Sequence, residues 1–163
     1  RIVGRTVGST RLSHDDILDH SELARMLRTP ICLDESIQSS HHCRLALHLK
    51  RCSIINIKPG RVAGFTESLA IHDACREASV PVWCGGMLES GIGRAYNVHM
   101  ASLPNFELPG DVSESARYWA EDIVEPVWVL RDGHLDVPAG TGLGVEVRED
   151  LIEKYTIARE RIY

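Results

Sequence analysis

Apolar and polar positions alternate along the chain in a repeating strand–helix order. Short apolar runs at residues 31–34 and 53–57 each end at a charged residue and are followed by a turn, which is typical of buried parallel strands. A third run at 81–84 ends at two glycines, and a short strand is predicted near 106–108. The strand ends therefore recur every 25 residues or so, roughly the length of one βα unit.

Helical periodicity fills the segments between these strands. Helices are predicted over residues 40–50, 64–78 and 91–102, and a last helix from about Glu149. An earlier helix is expected to follow Ser13 as its N-cap and to end before Pro30. The residues of its predicted apolar stripe are Ile17, Leu18, Leu23, Met26 and Leu27.

Four strand–helix repeats predict an α/β fold, specifically the C-terminal half of a TIM-like barrel. Residues 1–12 are an atypical lead-in, residues 13–125 the partial barrel, and residues 126–163 an extension. In that extension, an Asp132-Gly133 turn predicts a hairpin between 127–130 and 134–137. An open half barrel leaves its outer strands unpaired, so the sequence also predicts a missing complement.

Composition excludes several classes of partner. The net charge of −5 gives no reason to expect nucleic acid, and no apolar run approaches the roughly 20 residues that span a bilayer. The five cysteines are odd in number and form no CxxC pair, so we expect reduced thiols and a cytoplasmic location. Because the chain opens on Arg1, we also expect it to be a piece of something longer.

Asp34 and Lys58 occupy equivalent positions at the ends of two neighbouring predicted strands. Parallel sheets and barrels carry their chemistry at such ends. Asp34, next to Glu35, offers hard oxygen ligands suited to Mg²⁺, and a lysine at an apolar strand end is suited to proton transfer. The pattern also fits a solvated turn at Asp34 and a surface lysine before Pro59, and spacing leaves both interpretations open.

The segment GGMLES at residues 85–90 is a further candidate, because glycine lets a ligand approach the backbone closely. A helix-entry turn would have the same pattern. The glycine-rich segment 140–144 lacks the strand-to-helix setting of a dinucleotide site. The histidines at His14, His20, His41 and His42 have no partner at metal-site spacing and are expected at the surface.

Several ordered motifs make the chain resemble a known family. They are ICLDESI, INIKPGRVAG, PVWCGGMLESGIGRAYNVHMASLPNF, LPGDVSESARYWAEDI and DGHLDVPAGTGLGV. Together they resemble the enolase superfamily, and more closely the o-succinylbenzoate synthase / N-acylamino acid racemase family of its muconate-lactonizing subgroup. The resemblance runs from about Ser13 to the end of the chain.

The resemblance implies a (β/α)7β barrel with Mg²⁺ at its mouth, or Mn²⁺ or another divalent ion. The chain would supply the fifth to eighth strands, and we expect the N-terminal capping domain to be absent. Asp34 matches the third metal-binding carboxylate, with Glu35 behind it, and Lys58 matches the catalytic lysine of the sixth strand. The residues assigned to substrate binding are Gly86, Leu88, Glu89 and Ser90.

The implied reaction is Mg²⁺-dependent removal of the proton next to a small-molecule carboxylate. A synthase then loses a hydroxyl to form a menaquinone precursor, whereas a racemase returns a proton to the opposite face. The resemblance leaves these two activities unresolved. We expect a homo-oligomer.

The chain also departs from the family pattern. The first catalytic lysine, in a Lys-x-Lys motif, and the first two metal carboxylates are not found, and residues 1–12 do not match the expected Glu-Gln-Pro-Leu segment. We therefore expect the isolated chain to be inactive. The alternative is a noncatalytic remnant that folds only by self-association or with a complementary half.

Overall fold

The structure is a computed structural model that describes residue 13, residues 15–50 and residues 52–162. The expectations for the lead-in and for His14 lie outside these ranges. Within them, no helix combines the length and the apolar character needed to cross a membrane.

Strands and helices alternate through the first two thirds of the chain, as the periodicity predicts. The element bounds are α1 (Ile17–Met26), β1 (Cys32–Leu33), α2 (Ser40–His48), β2 (Ile54–Ile57), α3 (Phe65–Glu77), β3 (Val82–Cys84), α4 (Gly91–Ala101), β4 (Val124–Glu125), β5 (Glu146–Val147) and α5 (Glu149–Tyr155), with a 3-10 turn at Ser115–Arg117. The helices α2 to α4 and strands β1 to β3 differ from their predicted bounds by only one or two residues at an end.

The strands β1, β2 and β3 form a parallel sheet in chain order. Its register aligns Leu33 with Ile55 and Ile55 with Val82, so these side chains share one face. That face is fully buried and packs with Cys43 of α2 and Ile71 of α3 in one apolar cluster. Burying each such aliphatic side chain contributes about 1.5–3 kcal/mol. The helices therefore cover one face of the sheet and leave its strand ends to carry polar groups.

The prediction for the start of α1 is wrong. Asp16, and not Ser13, is the N-cap, because its Oδ1 accepts a hydrogen bond from the backbone N–H of Asp19 at 3.0 Å. The predicted stripe is also only partly buried. Leu18 and Met26 are 65% and 80% exposed, because α1 contacts the core through Leu23 and its neighbour Ala24.

The strand predicted at 106–108 is reduced to a single parallel bridge between Phe106 and Val82. The backbone N–H of Val82 donates to the carbonyl of Asn105 at 3.1 Å. Pro109 has no N–H to extend a ladder. The next contact with β3 is made further along, where the N–H of Asp111 donates to the carbonyl of Cys84 at 3.3 Å.

The Asp132-Gly133 turn is confirmed, but the hairpin around it is not. Arg131 and His134 exchange backbone hydrogen bonds of 2.9 and 2.8 Å, with positive φ at both turn residues, as a type I′ turn requires. The ladder stops there because Trp128 instead pairs with Ser115, whose N–H donates to the Trp128 carbonyl at 3.0 Å. A short antiparallel sheet is formed instead by β4, which directly precedes the extension, and β5 within it.

Helix α3 ends in a Schellman motif, and one residue of this motif has a strained backbone conformation. Val80 N–H donates to the Cys75 carbonyl at 2.8 Å, and Ser79 N–H donates to the Arg76 carbonyl at 3.1 Å. Ser79 adopts φ 56, a left-handed conformation that glycine tolerates better than serine.

We expect Ser79→Gly to raise the free energy of unfolding by about 0.5–1 kcal/mol, because the left-handed strain is removed. The matched control is Ala78→Gly, since Ala78 is right-handed at φ −82 and gains nothing from glycine. Urea unfolding of the three proteins measures the difference. Equal destabilisation by both substitutions would contradict the prediction.

Candidate active site

The candidate site lies where the three parallel strands end. Asp34 follows β1, Lys58 follows β2 and Gly85 follows β3, so the parallel register brings all three to one edge of the sheet. The sequence predicted chemistry at the ends of the first two strands, and the structure shows that the side chains of Asp34 and Lys58 meet there.

Asp34 and Lys58 are in direct contact. Lys58 Nζ donates to Asp34 Oδ2 at 3.1 Å, and both side chains are largely buried, with 18% and 15% of their surface exposed. Neither residue therefore belongs to a freely solvated turn. The contact puts a proton-carrying amine next to a carboxylate in a partly dehydrated place, where charge interactions are stronger than in water.

Arg61 is a third member of this cluster that the sequence did not single out. Its Nη1 pairs with Asp34 Oδ1, its Nε donates to the Ile37 carbonyl at 2.9 Å, and its Nη2 donates to the Asn56 carbonyl at 2.6 Å. The turn after β2 folds back to allow this, with Arg61 N–H donating to the Lys58 carbonyl at 2.9 Å. Arg61 is part of the segment INIKPGRVAG, but its side chain reaches Asp34 only because of that turn.

The cluster combines one carboxylate with two cations. Asp34 faces both Lys58 and Arg61, so these three residues together carry a net positive charge. Glu35, Glu89 and Asp111 add negative charge around them. The guanidinium also satisfies two backbone carbonyls, so it fixes the turn after β1 against β2.

Gly85 leaves the room that the Lys58 side chain occupies. A Cβ at position 85 would lie 2.6 Å from Lys58 Cε and 2.5 Å from Asn56 Oδ1, closer than real side chains approach. The sequence pattern indicated a close approach of a ligand at Gly85 and Gly86, but only Gly86 was assigned to the site. Gly85 could have been included because it directly follows β3, at the sheet edge where Lys58 lies.

The loop after β3 is held by its own glutamate. The Glu89 carboxylate accepts hydrogen bonds from the Met87 N–H at 2.9 and 2.8 Å and from Asn97 Nδ2 at 2.9 Å. Its backbone carbonyl accepts bonds from Arg94 Nη2 and Trp119 Nε1, each at 2.9 Å. These contacts order the loop and occupy the carboxylate that the sequence assigned to a substrate pocket.

The other candidate residues lie around this loop or on the turn after β1. Gly86 donates its N–H to Asp111 Oδ1, and Leu88 is exposed. Ser90 is the N-cap of α4, without a side-chain capping bond. Glu35 is exposed beside Asp34, and the ion pairs of the cluster are made by Asp34 with Lys58 and Arg61.

Two cysteines lie at the strand ends but are poor nucleophiles. Burial raises the pKa of the Cys84 thiol to about 12, with the nearby negative charges of Glu89 and Asp111 acting in the same direction. Burial also raises the pKa of Cys32, although Trp83 Nε1, which donates to its sulfur at 3.2 Å, opposes the shift. Both thiols therefore stay protonated near neutral pH, which leaves Lys58 as the candidate for proton transfer.

A divalent cation fits Asp34 only as one ligand of an incomplete set. A carboxylate is a suitable donor for Mg²⁺, which is octahedral and usually keeps several waters. Among the residues that the structure describes, however, no three His, Cys, Asp or Glu side chains gather as a metal site. The remaining protein ligands would have to come from outside these residues.

Comparison with known proteins identifies a family whose model matches most of the chain. A model of the enolase C-terminal domain-like family matches residues 11–151. The chain is 56% identical over 144 residues to an o-succinylbenzoate synthase of Bacillus subtilis (strain 168), covering 88% of this chain and 39% of that protein. It is 53% identical over 148 residues to an N-succinylamino acid racemase of Amycolatopsis sp, covering 91% and 40%. The chain thus spans about two fifths of the length of these relatives.

Solved structures agree with the sequence matches. An enolase superfamily member from Listeria innocua superposes with a TM-score of 0.86 at 42% identity, covering 91% of this chain and 40% of that chain. A dipeptide epimerase from Cytophaga hutchinsonii, solved with Mg and the dipeptide D-Ala-L-Val, superposes with a TM-score of 0.80 at 26% identity, covering 88% and 39%. The α/β fold predicted from sequence, as part of a longer barrel, is confirmed.

Arg61 should matter more for stability than Lys58. We expect Arg61→Met to lower the free energy of unfolding by about 3 kcal/mol, because it leaves two backbone carbonyls and one carboxylate oxygen without their donor. Lys58→Met should lower it by about 1 kcal/mol or less, since Asp34 keeps Arg61. Chemical denaturation of the two variants measures the order, and a larger loss in Lys58→Met would contradict it.

Proposed function

The chain belongs to the enolase C-terminal domain-like family, and we propose that it supplies part of the active site of an enzyme that removes the proton next to a carboxylate. The specific reactions we propose are o-succinylbenzoate synthesis, N-acylamino acid racemisation, or both. Relatives with each of these names are more than half identical to the chain over their aligned residues. The substrate would accordingly be a small carboxylate.

The observation that carries this proposal is the contact of Lys58 with Asp34 at the ends of adjacent parallel strands. In the proposed reaction, the Lys58 amine takes or returns the proton on the carbon next to the substrate carboxylate. Its position at a rigid strand end limits the movement of the Nζ atom, which favours transfer to a fixed point. Gly85 preserves the space that this position needs.

Asp34 would provide one oxygen ligand of the proposed cofactor, Mg²⁺ or a similar divalent ion. When bound, such an ion stabilises negative charge on the substrate oxygens. Arg61 would keep the Asp34 carboxylate in place, because it also holds the backbone on both sides of the cluster. Lys58, whose ammonium contacts Asp34 and no backbone carbonyl among the described residues, would then be the cation available for proton transfer.

The loop at residues 86–90 is proposed to shape the acyl-group side of the pocket. A side chain at Gly86 would place its Cβ 3.0 Å from the Asp111 carbonyl oxygen, so the position favours glycine. Glu89 would act by ordering this loop through Met87 and Asn97. Leu88 and Ser90 would contribute from either side of Glu89.

One lysine and one carboxylate do not make the whole site. Racemisation needs a proton donor or acceptor on each face of the substrate, and Lys58 can serve only one face. We therefore propose that the chain alone is inactive and that the activity belongs to a longer protein containing it.

The alternative, a noncatalytic self-associating remnant, also has an observation in its favour. Among the described residues, β1 pairs on one side only, with β2. The apolar side chains of Leu18 and Met26 on the preceding helix are exposed. An open strand edge next to exposed apolar side chains is a typical association surface.

The catalytic proposal is tested by joining residues 13–163 to the N-terminal part of the Bacillus subtilis relative. In D2O with Mg²⁺ and an N-succinyl amino acid, proton NMR should show loss of the α-proton signal with the chimera. Lys58→Ala should slow this exchange at least about 100-fold for the enantiomer whose α-proton faces Lys58, because the proton-transfer group on that face is removed.

Two controls accompany this experiment. Lys154→Ala should leave the exchange rate unchanged, since Lys154 lies in the C-terminal helix and pairs with exposed Glu121. The 163-residue chain alone should show no exchange. Equal rates in the Lys58→Ala chimera and its parent would refute the assignment of Lys58.

Sedimentation velocity tests the alternative. If the chain is a self-associating remnant, it should sediment as a dimer or larger species at micromolar concentration, and Leu18→Lys with Met26→Lys should shift it toward the monomer. The matched control is Leu45→Lys, an exposed apolar position on α2. A monodisperse monomer for the unmodified chain would exclude this alternative.

A further inference from the structure

Asn56 is a buried polar residue in the central strand of the parallel sheet. It lies in the middle of β2 and is fully buried. Neither Oδ1 nor Nδ2 has a hydrogen-bond partner among the described residues. A buried amide without a partner is unfavourable, because it gives up its hydrogen bonds with water and receives none in exchange.

The side chain of Lys58 occupies the same small space as this amide. Asn56 and Lys58 are two residues apart in an extended segment and so point to the same side of the sheet. The point where a Cβ at Gly85 would stand lies 2.5 Å from Asn56 Oδ1, 2.6 Å from Asn56 Nδ2 and 2.6 Å from Lys58 Cε. The amide and the lysine stem are thus immediate neighbours.

The Lys58 ammonium is directed elsewhere in this structure. It donates to Asp34 Oδ2, and the other oxygen of Asp34 is taken by Arg61. An ammonium carries three donors and no acceptor, whereas Asn56 Oδ1 is an acceptor with nothing to accept. If Asp34 binds another partner, the Lys58 ammonium loses its acceptor and lies next to Asn56 Oδ1, which has no donor among the described residues.

We propose that Asn56 is a positioning residue for Lys58: its Oδ1 accepts a hydrogen bond from the Lys58 ammonium whenever the Asp34 carboxylate is engaged by another partner. The side chain then swings from the Asp34 side to the Asn56 side of the strand end without leaving it. The amide would keep the amine directed across the strand ends, not out into solvent.

The identity of that other partner rests on the proposed function, in which a divalent cation binds Asp34. The exchange of hydrogen-bond partners by Lys58 is independent of the proposed function. It follows from the unpaired Asn56 amide, the shared space at Gly85 and the single carboxylate between two cations. It can therefore be tested in the chain itself, without metal or substrate.

The test is a double-substitution cycle on thermal unfolding of the 163-residue chain, followed by circular dichroism. In the unmodified chain, Asn56→Leu replaces an unpaired amide by an apolar group of similar size, so it should not lower Tm. In the Asp34→Ala background, where Lys58 turns to Asn56, the same substitution should lower Tm by about 4 °C. The effect of one substitution thus depends on the state of Asp34.

Two controls separate this coupling from a general effect on the core. Adding Lys58→Met to both backgrounds should abolish the difference, because the ammonium that couples the two residues is gone. Asn105→Leu, at a buried asparagine whose Nδ2 already donates to the Val80 carbonyl at 3.0 Å, should lower Tm equally in both backgrounds. An equal effect of Asn56→Leu in both backgrounds would overturn the proposal.

A second measurement covers the case in which Asp34→Ala prevents folding. Asp34→Val removes both the charge and the acceptor oxygens, and uniform ¹⁵N labelling reports the asparagine side-chain amides and the Nζ group of Lys58, with Lys50 and Lys154 as internal references. The Lys58 signal and the Asn56 side-chain amide signals should shift together in Asp34→Val. A Lys58 signal in Asp34→Val that is unchanged by adding Asn56→Leu would overturn the proposal, whether or not the chimera of the proposed function is active.

Discussion

The Asp34 carboxylate, shared between Lys58 and Arg61, is the interaction on which the candidate site depends. A partly buried carboxylate between two cations is stable only if its geometry is fixed and its remaining atoms are satisfied. The structure meets this condition through Arg61, which binds a backbone carbonyl on each side of the cluster. The cluster therefore ties β1 to β2 and holds a lysine at the point where the proposed chemistry occurs.

The second constraint is the space beside Lys58, which Gly85 provides directly after β3. Gly85 has no side chain, so the Lys58 stem and the Asn56 amide fit against β3. The opposite face of the same sheet is filled by aliphatic side chains packed on α2 and α3. One sheet thus has an apolar face that stabilises the fold, while its other face carries Asn56 and Trp83 and leads to Lys58 at the strand end.

Helix α4 and the segments that follow it contribute to the order of the site from outside the sheet. Arg94 of α4 is fully buried and donates to the Ser113 carbonyl at 2.6 Å and to the Glu89 carbonyl at 2.9 Å. Trp128 Nε1 donates to the Gly91 carbonyl at 3.0 Å. These bonds connect Ser113 to the loop after β3 through Arg94, and connect Trp128 of the extension to the start of α4. The order of that loop therefore depends on residues far along the chain.

The sequence by itself determined the alternation of strands and helices, the turn at Asp132-Gly133 and the placing of Asp34 and Lys58 at strand ends. These features follow from local periodicity and turn chemistry, which act over a few residues. Only the tertiary structure decided that Arg61 joins Asp34 and that Trp128 pairs with Ser115 and not within a hairpin. Hydrogen bonds between distant segments compete with local pairing, and their outcome depends on three-dimensional packing that no local pattern contains.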